Sequence, residues 1–282
     1  MTAPLRLAVP NKGRLLEPTL ALLRDAGLVF DARERSLVSR CENFPLDILF
    51  VRTEDIVEFV GDGVADMGIT GTNLLAESGR GLEVRASLHY GRCRLDAAVP
   101  SGSAARRLED LAGCRVATSH PSYATHFFRD HGIPVEMVPL SGAVEVAPRM
   151  GLADAIVDLV STGSTLLVNG LRSVGTLLSS EAILVANPGA DGPAAEVVTM
   201  LQAVVDARER RYVMMNAPLS ALPEIEALLP GLGSPSVVPL ARPDMVAVHA
   251  VVGADEVWGL LGRLRAAGAS GILVLPIELL VP

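Results

Sequence analysis

Between Glu145 and Leu166 the chain reads EVAPRMGLADAIVDLVSTGSTL. An apolar strand carrying Asp154 and Asp158 runs into Ser161-Thr162-Gly163-Ser164-Thr165 and then into a helical pattern. Small hydroxyl residues around a glycine let the backbone fold tightly about a phosphate. Main-chain N–H groups at the helix start then point at the anion, and the hydroxyls add donors without adding charge. Asp154 and Asp158 stand four apart on a strand, which predicts side chains on one face. Carboxylates beside a phosphate loop suit the vicinal hydroxyls of a ribose. The competing reading is a Ser/Thr-rich turn with two solvated aspartates, because such turns are common.

Two further loops are placed for chemistry. Lys12-Gly13-Arg14 follows the strand LRLAV (5–9), and Thr70, Gly71 and Asn73 close the strand ADMGIT (65–70). Ligands of open α/β sheets bind at the carboxyl ends of the strands. The alternative for the first loop is a solvated basic turn. Arg52 and Arg94 are either phosphate partners or ordinary surface arginines. Cys41, Cys93 and Cys114 are odd in number and form no CxxC pair, so they read as buried thiols rather than a disulfide framework or a zinc site. His249, inside VAVHAVV, reads as a satisfied core or interface histidine. Trp258, Met150, Met214 and Met215 read as packing residues.

These loops need a scaffold. Strands LRLAV, LDILFV (46–51) and ADMGIT alternate with helical stretches at 17–26 and 54–61. That alternation predicts an α/β domain with a largely parallel sheet. A second unit follows, with strands CRLDAAVP (93–100), CRVATS (114–119), VEMVPL (135–140) and ADAIVDLV (153–160), and a helix over 123–131. TLLVNGL reads as the start of another helix, and AILVAN (182–187) as a strand returning to the first sheet. After the helix AAEVVTMLQAVVDARERR the order becomes β-α-β-β-α-β: YVMMNAP, LSALPEIEALLP, PSVVPL, MVAVHAVV, ADEVWGLLGRLRAAGA, GILVLPI. That is the ferredoxin-like plait.

The chain has 282 residues, enough for two or three domains. Half of it is hydrophobic and only 4% aromatic, so the expected core is aliphatic and a base-stacking platform of several aromatics is not expected. A net charge of −8 excludes nucleic-acid binding by the overall field. Mean hydropathy is +0.40, yet no apolar run approaches the ~20 residues that cross a bilayer. The start, MTAPLRLAVPNKGRL, does not read as a signal peptide, and the expected compartment is the cytoplasm.

The segment 145–166 resembles the signature of the ATP phosphoribosyltransferase family. Glu145, Gly151, Ala153, Ile156, Asp158, Thr162, Gly163, Thr165 and Leu166 fill every place of that pattern. AVPNKGRL (8–15), ENFPLDILFVRTEDI (42–56), DGVADMGITGTNLL (62–75), GCRVATSHP (113–121) and GASGILVLPIE (268–278) also resemble family blocks. His120 stands where the family leads one to expect Tyr.

The resemblance implies two periplasmic-binding-protein-like α/β domains with a cleft between them, and a plait as a third, regulatory domain. The expected division is 1–91 with 178–207, then 92–177, then 208–282. The implied reaction joins ATP, through adenine N1, to 5-phosphoribosyl 1-pyrophosphate and releases pyrophosphate, the first step of histidine biosynthesis. Ser161 to Thr165 would hold the 5-phosphate, and Asp154 and Asp158 the ribose hydroxyls. Lys12, Gly13, Arg14, Thr70, Gly71 and Asn73 would meet nucleotide or pyrophosphate. Glu145 would either contact adenine or brace the loop. Mg²⁺ would ride on the pyrophosphate, with no direct protein ligands. L-Histidine would inhibit through Asn216, Ser236, Ser270 and Gly271. The chain would form dimers and a homohexamer and need no separate regulatory subunit. The rival reading is a non-catalytic amino-acid or nucleotide sensor with a binding-protein-like cleft, which would not need carboxylates beside a phosphate loop. A homologue with a decayed catalytic site is a third reading, and the filled signature speaks against it.

Overall fold

The computed structural model describes residues 4–32, 36–189, 192–229 and 231–281. The first three residues of the amino-terminal stretch and Pro230, at the end of the expected LSALPEIEALLP helix, lie outside them. The chain divides into two compact units, 1–21 with 28–198 and 22–27 with 199–282.

The larger unit holds two sheets. The first is built from β1 (Leu5–Pro10), β2 (Val38–Arg40), β3 (Leu46–Val51), β4 (Met67–Gly71) and β5 (Glu83–Ser87). Helices α1 (Leu16–Asp25), α2 (Ile56–Gly61) and α3 (Thr72–Ser78) come between them. The second sheet comprises β6 (Cys93–Pro100), β7 (Arg115–Thr118), β8 (Glu136–Pro139), β9 (Ala155–Val160) and β10 (Leu171–Ser180), with α4 (Pro121–Asp130) and α5 (Ser164–Val168). The chain then returns to the first sheet as β11 (Ala182–Ala186).

Strand order is β2-β3-β1-β4-β11-β5 in the first sheet and β10-β6-β9-β7-β8 in the second. β3, β1 and β4 run parallel, as do β9, β7 and β8, while β11, β6 and β10 run antiparallel to their neighbours. Two lobes exchanging strands through two crossings are the architecture of a periplasmic-binding-protein-like pair. One crossing is residues 88–92 and the other is Glu181 alone, between β10 and β11.

Each lobe closes on mostly aliphatic side chains. In the second, Ala155 and Val157 face one core with Phe128 and Leu111, and Ile156 and Val160 face another with Val144 and Leu166. Successive residues of β9 therefore serve opposite faces, which fixes where its polar residues point.

β10 differs from the expectation of a helix after TLLV. Two irregularities in its pairing with β6, between Ser173 and Gly175 and between Thr176 and Leu178, each add an extra residue. Leu171, Val174 and Leu177 are buried at every third position, a spacing that imitates a helix. The strand carries the second sheet to Ser180 rather than 177.

After α6 (Pro193–Arg208), the smaller unit has β12 (Arg210–Pro218), α7 (Leu222–Leu228), β13 (Ser236–Pro239), β14 (Met245–Gly253), α8 (Val257–Ala266) and β15 (Ser270–Pro276). Its sheet is antiparallel in the order β13-β14-β12-β15, the plait expected from the sequence. Val213, Met215 and Val248 from the sheet pack with Ile225 and Leu264 from the helices. His249 bonds Tyr212 (Nδ1 to hydroxyl, 2.9 Å). Trp258 and Met150 correct the packing expectation, being 85% and 66% exposed. No helix among the described residues is long and apolar enough to cross a membrane.

Candidate active site

At the carboxyl end of β9 the chain turns through Ser161, Thr162 and Gly163 into α5. Gly163 has φ +81°, a left-handed conformation that only glycine adopts without cost. The Thr162 hydroxyl lies 2.9 Å from that of Ser164 and accepts the Ser164 N–H at 3.4 Å. Leu166 is buried and pins the turn, whereas Ser161, Thr162, Ser164 and Thr165 are exposed. The result is an open cradle of hydroxyls and main-chain N–H groups.

Asp158 lies three residues before this turn, half-buried. Burial pushes its carboxyl above the usual range, and the charge of nearby Glu145 adds to that; the Leu159 N–H bond opposes both. Glu145 sits in a short 3-10 turn, Val144–Val146, entered through Ala143 in a left-handed conformation. Asp158 and Glu145 thus converge beside the cradle.

Asp154 does not join them. It lies before β9, where it accepts Arg115 main-chain N at 2.9 Å and pairs with the guanidinium at 3.1 Å. Its pKa is lowered by those bonds. Four strand residues span roughly 13 Å, too far for two carboxylates to grip vicinal hydroxyls of one ribose. The expectation that Asp154 and Asp158 work together is corrected: Asp154 closes the amino-terminal end of β7 and β9.

The strand neighbour of Asp158 is one the sequence reading passed over. Asp96 on β6 pairs directly with Asp158, and only 1% of it is exposed. Thr176 donates to it at 2.7 Å and Arg94 at 3.3 Å. A carboxylate in the apolar run CRLDAAVP was its only signal.

A cleft of about 480 Å³ opens between the lobes, lined on one side by Lys12, Gly13, Arg14, Gly71 and Asn73, and on the other by Ser119, His120 and Leu159. The Arg14 guanidinium is committed to the crossing segment, donating to Gly91 O at 2.8 Å and Cys93 Sγ at 2.9 Å. Thr70 does not line the cleft; it is fully buried and bonds Thr53 O at 3.4 Å. A Cβ at Gly71 would meet Asn73 Oδ1 at 2.5 Å, so any larger residue there would displace the Asn73 amide. Asn73 Nδ2 donates to His120 Nε2 at 2.9 Å, and Asn73 Oδ1 accepts from Ser180 Oγ at 2.8 Å. His120 is buried, its pKa lowered by desolvation. A second cavity of about 700 Å³ brings Ser161 of the cradle together with Arg92, Arg94 and Glu181 at the crossings.

In the smaller unit, Asn216 pairs with Ser270, and Gly271 lies beside the Asn216 amide. Ser236 is separate, on β13 opposite His249, with two strand spacings between β13 and β12. The thiols of Cys41 and Cys114 are raised by burial, Cys41 to about 11.

A two-lobed α/β cleft with a hydroxyl-rich cradle at its strand ends is that of a transferase acting on phosphorylated substrates. The family model described as ATP phosphoribosyltransferase matches residues 52–206, and that of the HisG C-terminal domain matches 207–279. The ATP phosphoribosyltransferase of Gemmatimonas aurantiaca is 48% identical, covering 99% of this chain and 100% of its own. That of Methanosarcina barkeri is 40% identical over the same shares. The ATP phosphoribosyl transferase (HisG:HisZ) complex of Thermotoga maritima is similar at 30% identity and a TM-score of 0.62, covering 72% of this chain and 98% of that one. The chain belongs to the ATP phosphoribosyltransferase family, whose enzymes transfer the phosphoribosyl group of 5-phosphoribosyl 1-pyrophosphate to ATP at the head of histidine biosynthesis.

Proposed function

We propose that the cradle 161–165 holds the 5-phosphate of the ribosyl donor, that Asp158 holds its ribose hydroxyls, and that Lys12, Gly13, Gly71 and Asn73 line the nucleotide's place. The observation that carries this reading is the convergence of Asp158, Glu145 and the cradle at one strand end. Adenine N1 attacks the anomeric carbon as the bond to pyrophosphate breaks, so positive charge develops on the sugar ring. A carboxylate beside the ribose stabilises that charge, and Glu145 is placed to brace the loop or meet the base. Arg14, held at the crossing, positions the loop after β1 and is not a free anion clamp. Arg94, fixed by Asp96 next to Ser161, is the better-placed cation. The lobes bring two polyanions together in one orientation, which supplies much of the rate.

Mg²⁺ enters as part of the substrate, on the donor's pyrophosphate. Among the described residues no group of three or more His, Cys, Asp or Glu is assembled to hold an ion. We further propose that the two α/β sheets form the catalytic domains and the plait a regulatory one, with L-histidine bound near Asn216, Ser270 and Gly271. The chain then carries its own regulatory part instead of needing a separate subunit of the kind the Thermotoga complex pairs with its enzyme. Oligomers, a dimer and a hexamer, are supported by apolar residues exposed on both edge strands of the plait, Val237 and Val238 on β13, Leu273 and Leu275 on β15. The expected compartment is the cytoplasm.

The test is direct. Purified protein with ATP, the ribosyl donor and Mg²⁺ releases pyrophosphate and gains a near-ultraviolet absorbance, and histidine suppresses both. Loss of pyrophosphate release in Asp158→Ala, with native circular dichroism, supports the site; unchanged release overturns it.

A further inference from the structure

Helix α3 belongs to the first lobe and α4 to the second. Covalently, the lobes meet only at 88–92 and Glu181. On α3, Asn73 and Glu77 are four residues apart and share a face. Both reach the start of α4. Glu77 Oε1 accepts the Ser122 N–H at 2.9 Å, and Glu77 Oε2 accepts the Tyr123 N–H at 2.8 Å. One turn earlier, Asn73 bonds His120, the N-cap residue of α4.

The amino-terminal turn of α4 needs such a partner. Its N-cap, His120, makes no side-chain capping bond, and Pro121 has no N–H. The N–H groups of Ser122 and Tyr123 are therefore capped from the other lobe, by a carboxylate where a helix favours negative charge. The Asn73–His120 end of this junction lines the cleft, Gly71 and Asn73 on one side and Ser119 and His120 on the other, and Glu77, Ser122 and Tyr123 lie directly behind it along the chain. The cleft cannot widen at this edge without breaking these bonds.

We propose that Glu77 is a positioning residue for phosphoribosyl transfer, clasping α4 across the lobes so that the Asn73 and His120 walls of the nucleotide cleft keep their working separation. The proposal rests on the nucleotide occupying that cleft. Glu77 touches no substrate and acts through the placement of Asn73, Ser119 and His120.

The full-length protein carries the test. In Glu77→Ala, amide exchange at Ser122 and Tyr123 accelerates without ligand. The KM for ATP rises about tenfold, with a smaller change in kcat and little change in KM for the ribosyl donor. Glu77→Gln keeps one acceptor oxygen and leaves the KM for ATP only about two- to threefold above wild type. Faster exchange with an unchanged KM for ATP in Glu77→Ala overturns the proposal, as does a Glu77→Gln enzyme as impaired as Glu77→Ala. If the alanine variant does not fold, the glutamine variant alone decides: a rise of two- to threefold in KM for ATP supports the clasp, and no rise overturns it. Lys12→Ala is measured in parallel. An unchanged KM for ATP there overturns the cleft as the nucleotide's place, and the Glu77 exchange result, read without ligand, separates that failure from failure of the clasp.

Discussion

Arg115 holds Asp154 with its main-chain N–H and its guanidinium at the end of β9 remote from the 161–165 cradle. The pair is half-exposed, with side chains 42% and 49% accessible, and exposed pairs contribute little to stability. Asp154→Asn is expected to leave kcat and both KM values within about threefold. A loss of turnover comparable to that of Asp158→Asn would show that Asp154 reaches substrate after all.

Asp158 should behave in the opposite way. Burial raises its pKa above the ordinary carboxylate value, so its ionised form destabilises the fold. That cost is absent at pH below the unfolded value, about 3.9, and grows as pH rises through the folded one. Asp158→Asn removes it. The variant is expected to melt higher than wild type at pH 7 while losing about 10²-fold or more in turnover. Calorimetry alongside the pyrophosphate assay checks both; a lower melting temperature refutes the electrostatic account.

His120 makes stability fall on the acid side. Its folded pKa is lowered, chiefly by burial and partly offset by Glu77, the charged group facing it. Its Nε2 must stay unprotonated to accept from Asn73. The unfolded chain therefore takes the proton first, and stability declines as pH drops below about 6.5 toward the folded pKa. His120→Gln can keep an acceptor for Asn73 and cannot titrate. Its melting temperature between pH 5 and 7 is expected to vary less than that of wild type; parallel curves would remove His120 as the cause.

Gly163 sits at φ +81°, with nothing closer than Val160 Cγ1 at 4.0 Å to an added Cβ. Alanine there meets backbone strain alone, roughly 1–2 kcal/mol. Gly163→Ala is expected to raise the KM for the ribosyl donor more than that for ATP, because the strain relaxes by opening the cradle. Equal effects on both substrates would place the 5-phosphate elsewhere.

The sequence carried most of the elements, because period-2 and period-3.6 patterns follow directly from burial on one face. It missed β10, where two bulges shift the buried positions to every third residue. The plait was legible from the order of its elements and from the alternation of β12 and β14, although β13 and β15 are exposed along nearly their whole length. The cradle was legible because glycine and hydroxyls must be contiguous to form it. Asp154 was misplaced because face is set by spacing, but which strand end meets the ligand is set by neighbours. Asn73, His120, Ser180 and Glu77 were not visible as a group, since 107 residues separate Asn73 from Ser180 and no local pattern encodes that contact.

The proposed histidine site on the plait can be tested residue by residue. A free amino acid needs donors for its carboxylate and acceptors for its ammonium within one small region. Asn216, Ser270 and Gly271, the residues proposed for that role, lie together on the adjacent strands β12 and β15, with Ser270 Oγ 3.4 Å from Asn216 O. Ser236 stands on β13, at the far side of β14. Asn216→Ala is expected to raise the histidine concentration for half-inhibition at least about tenfold, as loss of one well-placed polar partner does, without changing uninhibited kcat. Ser236→Ala is expected to stay within about twofold, the range of an exposed surface change. Matching shifts in the two variants would mean that the effector spans the sheet, and no shift in either would move the effector site away from this sheet end.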